Sequence, residues 1–265
     1  MKVAVGFFGI TRSLKFTIKS ISKNVIKPLQ ELGYDYKIFL HTYELNNYKN
    51  IRTKENYTNI DNEEYKLLNP DYFEIEKQDL VLESINPEKY RTYKDPWDTN
   101  YNSVDNFLLG QYSKMKLTNI IEKSQINFDY IMFLRPDVEY LNPLEHSFFK
   151  NVINKTISIP RFGIYPHAKP HFNDRFAITN QDTYKIYGKV FDELFEISKK
   201  QILHSETVLT KYLTRNNVEY EYIQFVFKRI RMDGSVDVHD KKLSKKSRWL
   251  RIDSSVDVHD KKLSK

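Results

Sequence analysis

Phe128-Asp-Tyr-Ile-Met-Phe-Leu-Arg-Pro-Asp-Val-Glu-Tyr140 decides how the rest of the chain is read. Within it, Tyr130 to Leu134 is an unbroken apolar run, long enough for a buried strand and too short for a helix. The run stops on Arg135, then on a proline that cannot continue a sheet ladder. Two carboxylates one residue apart follow, Asp137 and Glu139. In an open α/β sheet, ligands collect beyond the carboxyl ends of the strands. An Asp-x-Glu at that point can offer two hard oxygen ligands to one divalent cation, which keeps waters and accepts phosphate oxygens. The plainer alternative is a strand exit with solvated acids.

Upstream, Val3 to Phe8 reads as a first buried strand, and Gly9-Ile-Thr-Arg-Ser13 leads into a helical pattern of Leu14, Ile18, Ile21, Val25 and Leu29. Thr11 and Ser13 are candidate caps for that helix. A strand, a glycine turn and a helix start can present backbone N–H groups to an anion, and Arg12 adds a bidentate phosphate donor. The competing reading gives Gly9 a tight turn and leaves Arg12 in solvent. The turn has neither the Gly-Lys-Ser/Thr of a P-loop nor the three glycines of a dinucleotide fingerprint.

Gly33 should end the helix, with a second strand at Tyr34–His41 and a polar, Asn-rich loop over residues 42–60. Strands are expected at Tyr72–Ile75, Thr156–Pro160, Asn173–Thr179, and near 218–223 and 225–230. An aromatic loop over 86–100 should pack on the core, or stack on a base or sugar ring. Helices are expected from Ser103 to about Ser124, over roughly 181–200, and over 205–215 with Ser205 as cap. Arg161, His167, Lys169 and His171 share the loop between two of these strands.

With 265 residues, 40% hydrophobic and 14% aromatic, the chain can bury one substantial core. No stretch reaches the ~20 apolar residues of a membrane span, and the start does not read as a secretory leader. The absence of cysteine excludes disulfides and thiolate metal sites, so a cytoplasmic location is expected. The net charge of +7 is unevenly placed: residues 228–265 hold twelve Lys/Arg and six Asp/Glu, which leaves thirty against twenty-nine in residues 1–227. A nearly neutral body makes nucleic acid an improbable partner for it. The charge sits in a tail whose residues 231–245 recur as 251–265, identical at thirteen of fifteen positions. Two copies are too few for a solenoid, so a basic, weakly ordered appendage is expected after a 1–230 domain. His239 and His259 are then solvated rather than metal ligands.

Several marks in order resemble the GT-A-fold glycosyltransferases, in particular the small nucleotide-sugar transferases of large DNA viruses and bacterial polysaccharide clusters. They are Gly9-Ile-Thr-Arg12-Ser13, Gln111-Tyr-Ser-Lys114, Asp129-Tyr130 through Arg135-Pro-Asp137, Asp174-Arg-Phe-Ala-Ile178, and His204-Ser-Glu206 through Tyr212-Leu213. The resemblance covers about residues 1–230. It implies an α/β single domain with a mostly parallel central sheet flanked by helices. It also implies a nucleotide-diphosphate sugar donor, a UDP-sugar first among them, a glycan or glycoprotein acceptor, and Mn²⁺ or Mg²⁺ held by Asp137 and Glu139. Gly9, Thr11, Arg12, Ser13, Lys114 and Arg135 match the donor-binding side. Asp174 and Glu206 match the catalytic positions, with Asp174 the expected base if the enzyme inverts configuration. If the source is viral, the host cytoplasm is the expected compartment. Two non-enzymatic alternatives remain: a module that binds nucleotide sugars without catalysis, and a nucleic-acid-binding protein acting through the tail.

Overall fold

The computed structural model describes residues 1–161, 172–237 and 240. Strand β1 (Lys2–Phe8) forms where its apolar run predicts, and six of its seven residues are buried, as a central parallel strand requires. The chain then enters α1 (Leu14–Ile21), passes a π-helical turn (Ser22–Ile26) and ends in α2 (Lys27–Glu31). Leu14, Ile21, Val25 and Leu29 are all fully buried, which is the stripe read from their spacing. The following strands are β2 (Asp35–Glu44), β3 (Asn47–Asn50), β4 (Glu55–Thr58) and β5 (Tyr72–Lys77). Helices α3 (Gln78–Ile85) and α4 (Asn102–Lys123) precede β6 (Tyr130–Leu134) and β7 (Val138–Tyr140). Then come β8 (Thr156–Pro160), β9 (Phe176–Thr179), α5 (Tyr184–Gly188), α6 (Leu194–Ser198) and α7 (Ser205–Arg215). Strands β10 (Glu219–Ile223) and β11 (Phe227–Arg229) close the described body.

Seven strands form one mixed, mostly parallel sheet in the order β10-β8-β9-β6-β1-β2-β5. Strand β1 pairs in parallel with β2 and β6, and β9 runs antiparallel between β6 and β8. Alternate residues of the central strands supply two cores. Ile131 and Phe133 face the cluster that includes Leu108 and Leu117 of α4, whereas Met132 and Leu134 face the cluster with Leu14 and Ile21 of α1. Truncating Phe133, which has no exposed surface, to alanine costs about 3–5 kcal/mol.

Four elements depart from the sequence reading. Residues 42–60 extend β2 and then fold into the antiparallel hairpin β3–β4. Its polar strands carry no apolar alternation to announce it. Helix α3 was not foreseen. The expected helix over 181–200 is broken into α5, a 3₁₀ turn (Val190–Glu193) and α6. A Cβ at Gly188 would lie 1.9 Å from Thr118 Oγ1, so this point presses directly on α4, and both short helices keep the apolar spacing of one long one. The strand after Gln224 pairs antiparallel with β7 and lies outside the main sheet.

The described part of the repeated segment does not hang free. Ile230 bridges to Val236, Asp237 and Asp240 are 3% and 5% exposed, and both face Arg229. His167, Lys169, His171, His239 and His259, and the second copy of the repeat, lie outside the described residues. Among the described residues, no helix is long and apolar enough to cross a membrane.

Candidate active site

Register builds the site. Phe8 pairs with His41 and Phe7 with Leu134, so the segments leaving β1 and β6 emerge side by side. Strand β9 runs the other way, with Phe176 opposite Leu134, so the residues entering it stand at the same edge. One cavity collects there. Its walls include Gly9 and Arg12 after β1, Arg135 and Asp137 after β6, Asp174 before β9, and Gln111 of α4. The β3–β4 hairpin adds Tyr48, Arg52 and Glu55, the aromatic loop adds Trp97, and the chain after β11 adds Arg231 and Asp237.

Gly9 adopts φ +95°, which favours glycine, and a Cβ there would meet the Arg135 guanidinium at 3.6 Å. Part of the backbone donor set at this turn and helix start is used within the chain. The Gly9 N–H donates to Ser113 Oγ at 2.8 Å. At the start of α1, the Lys15 N–H donates to the Glu64 carboxylate at 3.0 Å, while the Leu14 and Phe16 N–H groups donate to the Thr11 and Ser13 carbonyls. The chain's own glutamate therefore takes the place of an anion at this helix end. Thr11 Oγ1 lies 3.5 Å from Thr42 Oγ1, and the Ser13 hydroxyl is buried without a partner, so neither side chain caps the helix.

The guanidinium groups, in contrast, converge. Asp137 is 2% exposed and accepts two bonds from Arg135, from Nε at 2.9 Å and Nη2 at 2.7 Å. Arg12 Nη2 stands 3.9 Å from Asp137 Oδ2 and 3.7 Å from Glu55 Oε2, and its guanidinium lies 3.9 Å over the Tyr48 ring. Burial works against the Asp137 charge, but Arg135 and Arg12 outweigh it and hold the carboxyl below its usual value. Burial likewise opposes Arg135, and Asp137 overrides it to raise that pKa. Arg229 reaches Asp237 at 3.1 Å and Asp240 at 3.0 Å, and Arg231 reaches Asp237 at 3.5 Å.

Other cations are less well matched. Arg52 lies 3.6 Å over Trp97, and burial and Arg229 push its pKa down. Arg175 is lowered by burial and by Arg229 in the same way. Its Nη1 is 3.9 Å from Asp240 Oδ1, beyond hydrogen-bond reach, and has no partner. Arg12 Nε and Lys114 Nζ are also buried and unpartnered. Lys114 has no exposed surface and lies 4.2 Å from the Tyr187 ring centre. Burial, only partly offset by Asp174, lowers its pKa to about 7.

Of the residues singled out by sequence, Gly9, Arg12, Arg135, Asp137 and Asp174 meet in the cavity. Lys114 sits one helical turn beyond Gln111. Glu139 does not line the cavity; it pairs with Lys228 of β11 at 2.9 Å. Glu206 accepts the Ser205 hydroxyl at 2.6 Å and lies behind that residue, which does line the cavity. Asp174 Oδ1 is 3.8 Å from Arg175 Nε.

The Asp137–Glu139 pair therefore does not supply two carboxylates to one cation. Among the described residues, no group of three His, Cys, Asp or Glu could hold a metal. Arg135 occupies both oxygens of Asp137, and Arg12 stands between Asp137 and Glu55. A divalent ion on Asp137 would sit roughly 5 Å from a guanidinium, a repulsion on the order of 7 kcal/mol at an effective dielectric of about 20. As arranged, the donor set does not fit Mn²⁺ or Mg²⁺.

Sequence reading placed Trp97 in a loop that could stack on a base or sugar ring, and missed Tyr48, Arg52, Glu55, Arg175, Arg229, Arg231 and Asp237. Most stand in segments without apolar periodicity, and Asp237 falls in the repeat that was set aside. The two arginines in Lys228-Arg-Ile-Arg231, flanking a strand end, were the available signal.

No family model matches the chain, and no curated protein matches it. Among solved structures it is similar to mouse xyloside xylosyltransferase 1 in its apo form, at 13% identity and a TM-score of 0.44, over 84% of this chain and 85% of that one. It is also similar to the galactosyltransferase LgtC in complex with donor and acceptor sugar analogues, at 13% identity and a TM-score of 0.46, over 83% and 73% of the two chains. A third is the glycosyltransferase GlyE of Streptococcus pneumoniae TIGR4, at 12% identity and a TM-score of 0.43, over 84% and 46%. All three are glycosyltransferases.

Proposed function

We propose that the chain moves a sugar from a nucleotide-diphosphate donor, a UDP-sugar first, to a hydroxyl of a glycan or glycoprotein acceptor. One observation carries this reading. At the carboxyl edge of β1 and β6, the guanidinium groups of Arg12, Arg52, Arg135, Arg229 and Arg231, with Arg12 Nε unpartnered, line a cavity that also holds one partly exposed carboxylate, Asp174. An excess of donors suits a diphosphate, and a carboxylate beside it suits proton transfer.

In the transfer, the bond between the anomeric carbon and the diphosphate oxygen breaks, and its electron pair leaves with the diphosphate. Arg12, Arg52 and Arg135 neutralise that growing charge without reorganising, which is where fixed charges lower a barrier most. The acceptor oxygen bonds to the anomeric carbon, and its proton passes to Asp174. Trp97, 38% exposed on the rim beneath Arg52, offers a ring face to the base or sugar. Glu206, held by Ser205, contacts the sugar or acceptor.

A thermal-shift panel of nucleotide sugars and nucleoside diphosphates tests the reading. A ligand at about a hundred times its Kd should add about 2.7 kcal/mol of stability. A panel in which no nucleotide sugar shifts the transition contradicts it. Binding without turnover would leave a non-catalytic nucleotide-sugar module.

A further inference from the structure

We infer that this chain carries its own cation at the donor site: the Arg12 guanidinium, between Asp137 and Glu55, fills the place a bridging divalent ion would take, so a diphosphate is held by arginines without metal. The inference rests on the transferase reading for its ligand, but its charge argument stands on the geometry alone.

The position is built. Arg12 Nη2 is 3.9 Å from Asp137 and 3.7 Å from Glu55, two carboxylates that are 2% and 3% exposed. Two buried carboxylates this close to one point need a positive charge between them. Arg12 supplies it, and the Tyr48 ring at 3.9 Å fixes the plane of its guanidinium. Arg135 takes one lone pair on each oxygen of Asp137 in a fork, so a metal could use only the remaining lone pairs, close beside a guanidinium that would repel it. Of the other acids, Glu139 is committed to Lys228 and Asp237 to Arg229 and Arg231, while Asp174 stands apart from this pair beside Arg175 and Glu55 keeps Oε1 without a hydrogen bond.

The arginines are not used up by these contacts. Arg12 Nε keeps a buried N–H without a partner, and Arg175 Nη1 another. Arg52 lies over Trp97 and shares the cavity wall with Arg229, whose like charge an entering anion would offset. Guanidinium groups bind phosphate oxygens bidentately and keep their charge at any working pH. Such a cluster would stabilise the leaving diphosphate by direct hydrogen bonds, with no ion to be recruited from solution.

Two measurements on the full chain test this. In a Mn²⁺ titration followed by electron paramagnetic resonance, the wild-type chain should leave the signal of aqueous Mn²⁺ unchanged. In calorimetry with UDP, the Kd in EDTA should stay within about twofold of that in Mn²⁺. Retained Mn²⁺ that Asp137→Asn releases would overturn the inference, as would a loss of about tenfold or more in UDP affinity on chelation. The Arg12→Met/Arg135→Met variant, which frees both acids, should acquire Mn²⁺ binding that the wild type lacks. If no nucleoside diphosphate binds under either condition, the transferase reading fails, while the Mn²⁺ titration still decides whether the site accepts a metal.

Discussion

Replacing Lys114 by methionine is expected to stabilise the fold while damaging the site. The ammonium is wholly buried, has no hydrogen-bond partner, and has its pKa lowered from 10.5 to about 7 by burial. At about 1.36 kcal/mol per pH unit, that gap caps the penalty for the charged form near 5 kcal/mol. The cation over Tyr187 at 4.2 Å returns up to about 2 kcal/mol of this. Methionine fills a similar volume without charge, so the net gain at pH 6.5 should be about 3 kcal/mol. Its pH dependence follows from linkage. Between about 7 and 10.5 the unfolded chain binds the proton that the folded chain has released, so wild-type stability rises with pH in that window. The advantage of methionine should therefore shrink between pH 7 and pH 10. Urea denaturation of both chains across that range measures it. A Lys114→Met variant that is less stable than wild type by the same amount at both ends would refute the claim that this charge is buried unpaired. Loss of nucleotide affinity alongside the stability gain would mark Lys114 as retained for binding rather than for the fold.

Other outcomes are equally definite. Ending the chain after residue 230 strips Asp237 and Asp240 from the buried Arg229 and should cost about 3–5 kcal/mol in urea denaturation; an unchanged melting temperature would contradict the docked arrangement. Asp95 accepts bonds from the Trp97, Thr99 and Tyr101 N–H groups and from the Ser103 hydroxyl. Burial opposes its charge, but the Ser103 and Thr99 bonds outweigh that and lower its pKa to about 2. This stability is complete above 3.8 and is lost as the pH falls towards 2, so Asp95→Asn should flatten the acid limb of a melting-temperature profile. In steady-state kinetics with one competent donor, Asp174→Asn should lower kcat by about two orders of magnitude, whereas Glu206→Gln should mainly raise KM. The reverse pattern would exchange their roles.

The centre of the sheet was legible because its strands are continuous apolar runs. Val3–Phe8 and Tyr130–Leu134 could only be buried, and the polar residues that end them had to gather at one edge. Arg12, Arg135 and Asp137 were found for that reason, and Asp174 through its match to a motif of the family the chain resembles. What the sequence could not show is which partner each charge takes. Glu139 follows Asp137 by two positions, yet it pairs with Lys228, because β11 pairs with β7 at a separation that no local pattern announces. The hairpin carrying Arg52 and Glu55 was invisible because its stability comes from tertiary contacts, among them the Arg231 guanidinium on the Thr53 carbonyl. Two backbone donors at the first turn, the Gly9 and Lys15 N–H groups, go to Ser113 and Glu64, partners too distant in sequence to be read from it.

The central claim is tested most directly by following release of nucleoside diphosphate from a panel of nucleotide sugars by wild-type chain and Asp174→Asn. Release from at least one donor, reduced about a hundredfold or more in the variant, is the expected result. No release from any donor, or equal release by both chains, would contradict a sugar transferase that uses Asp174 as its base.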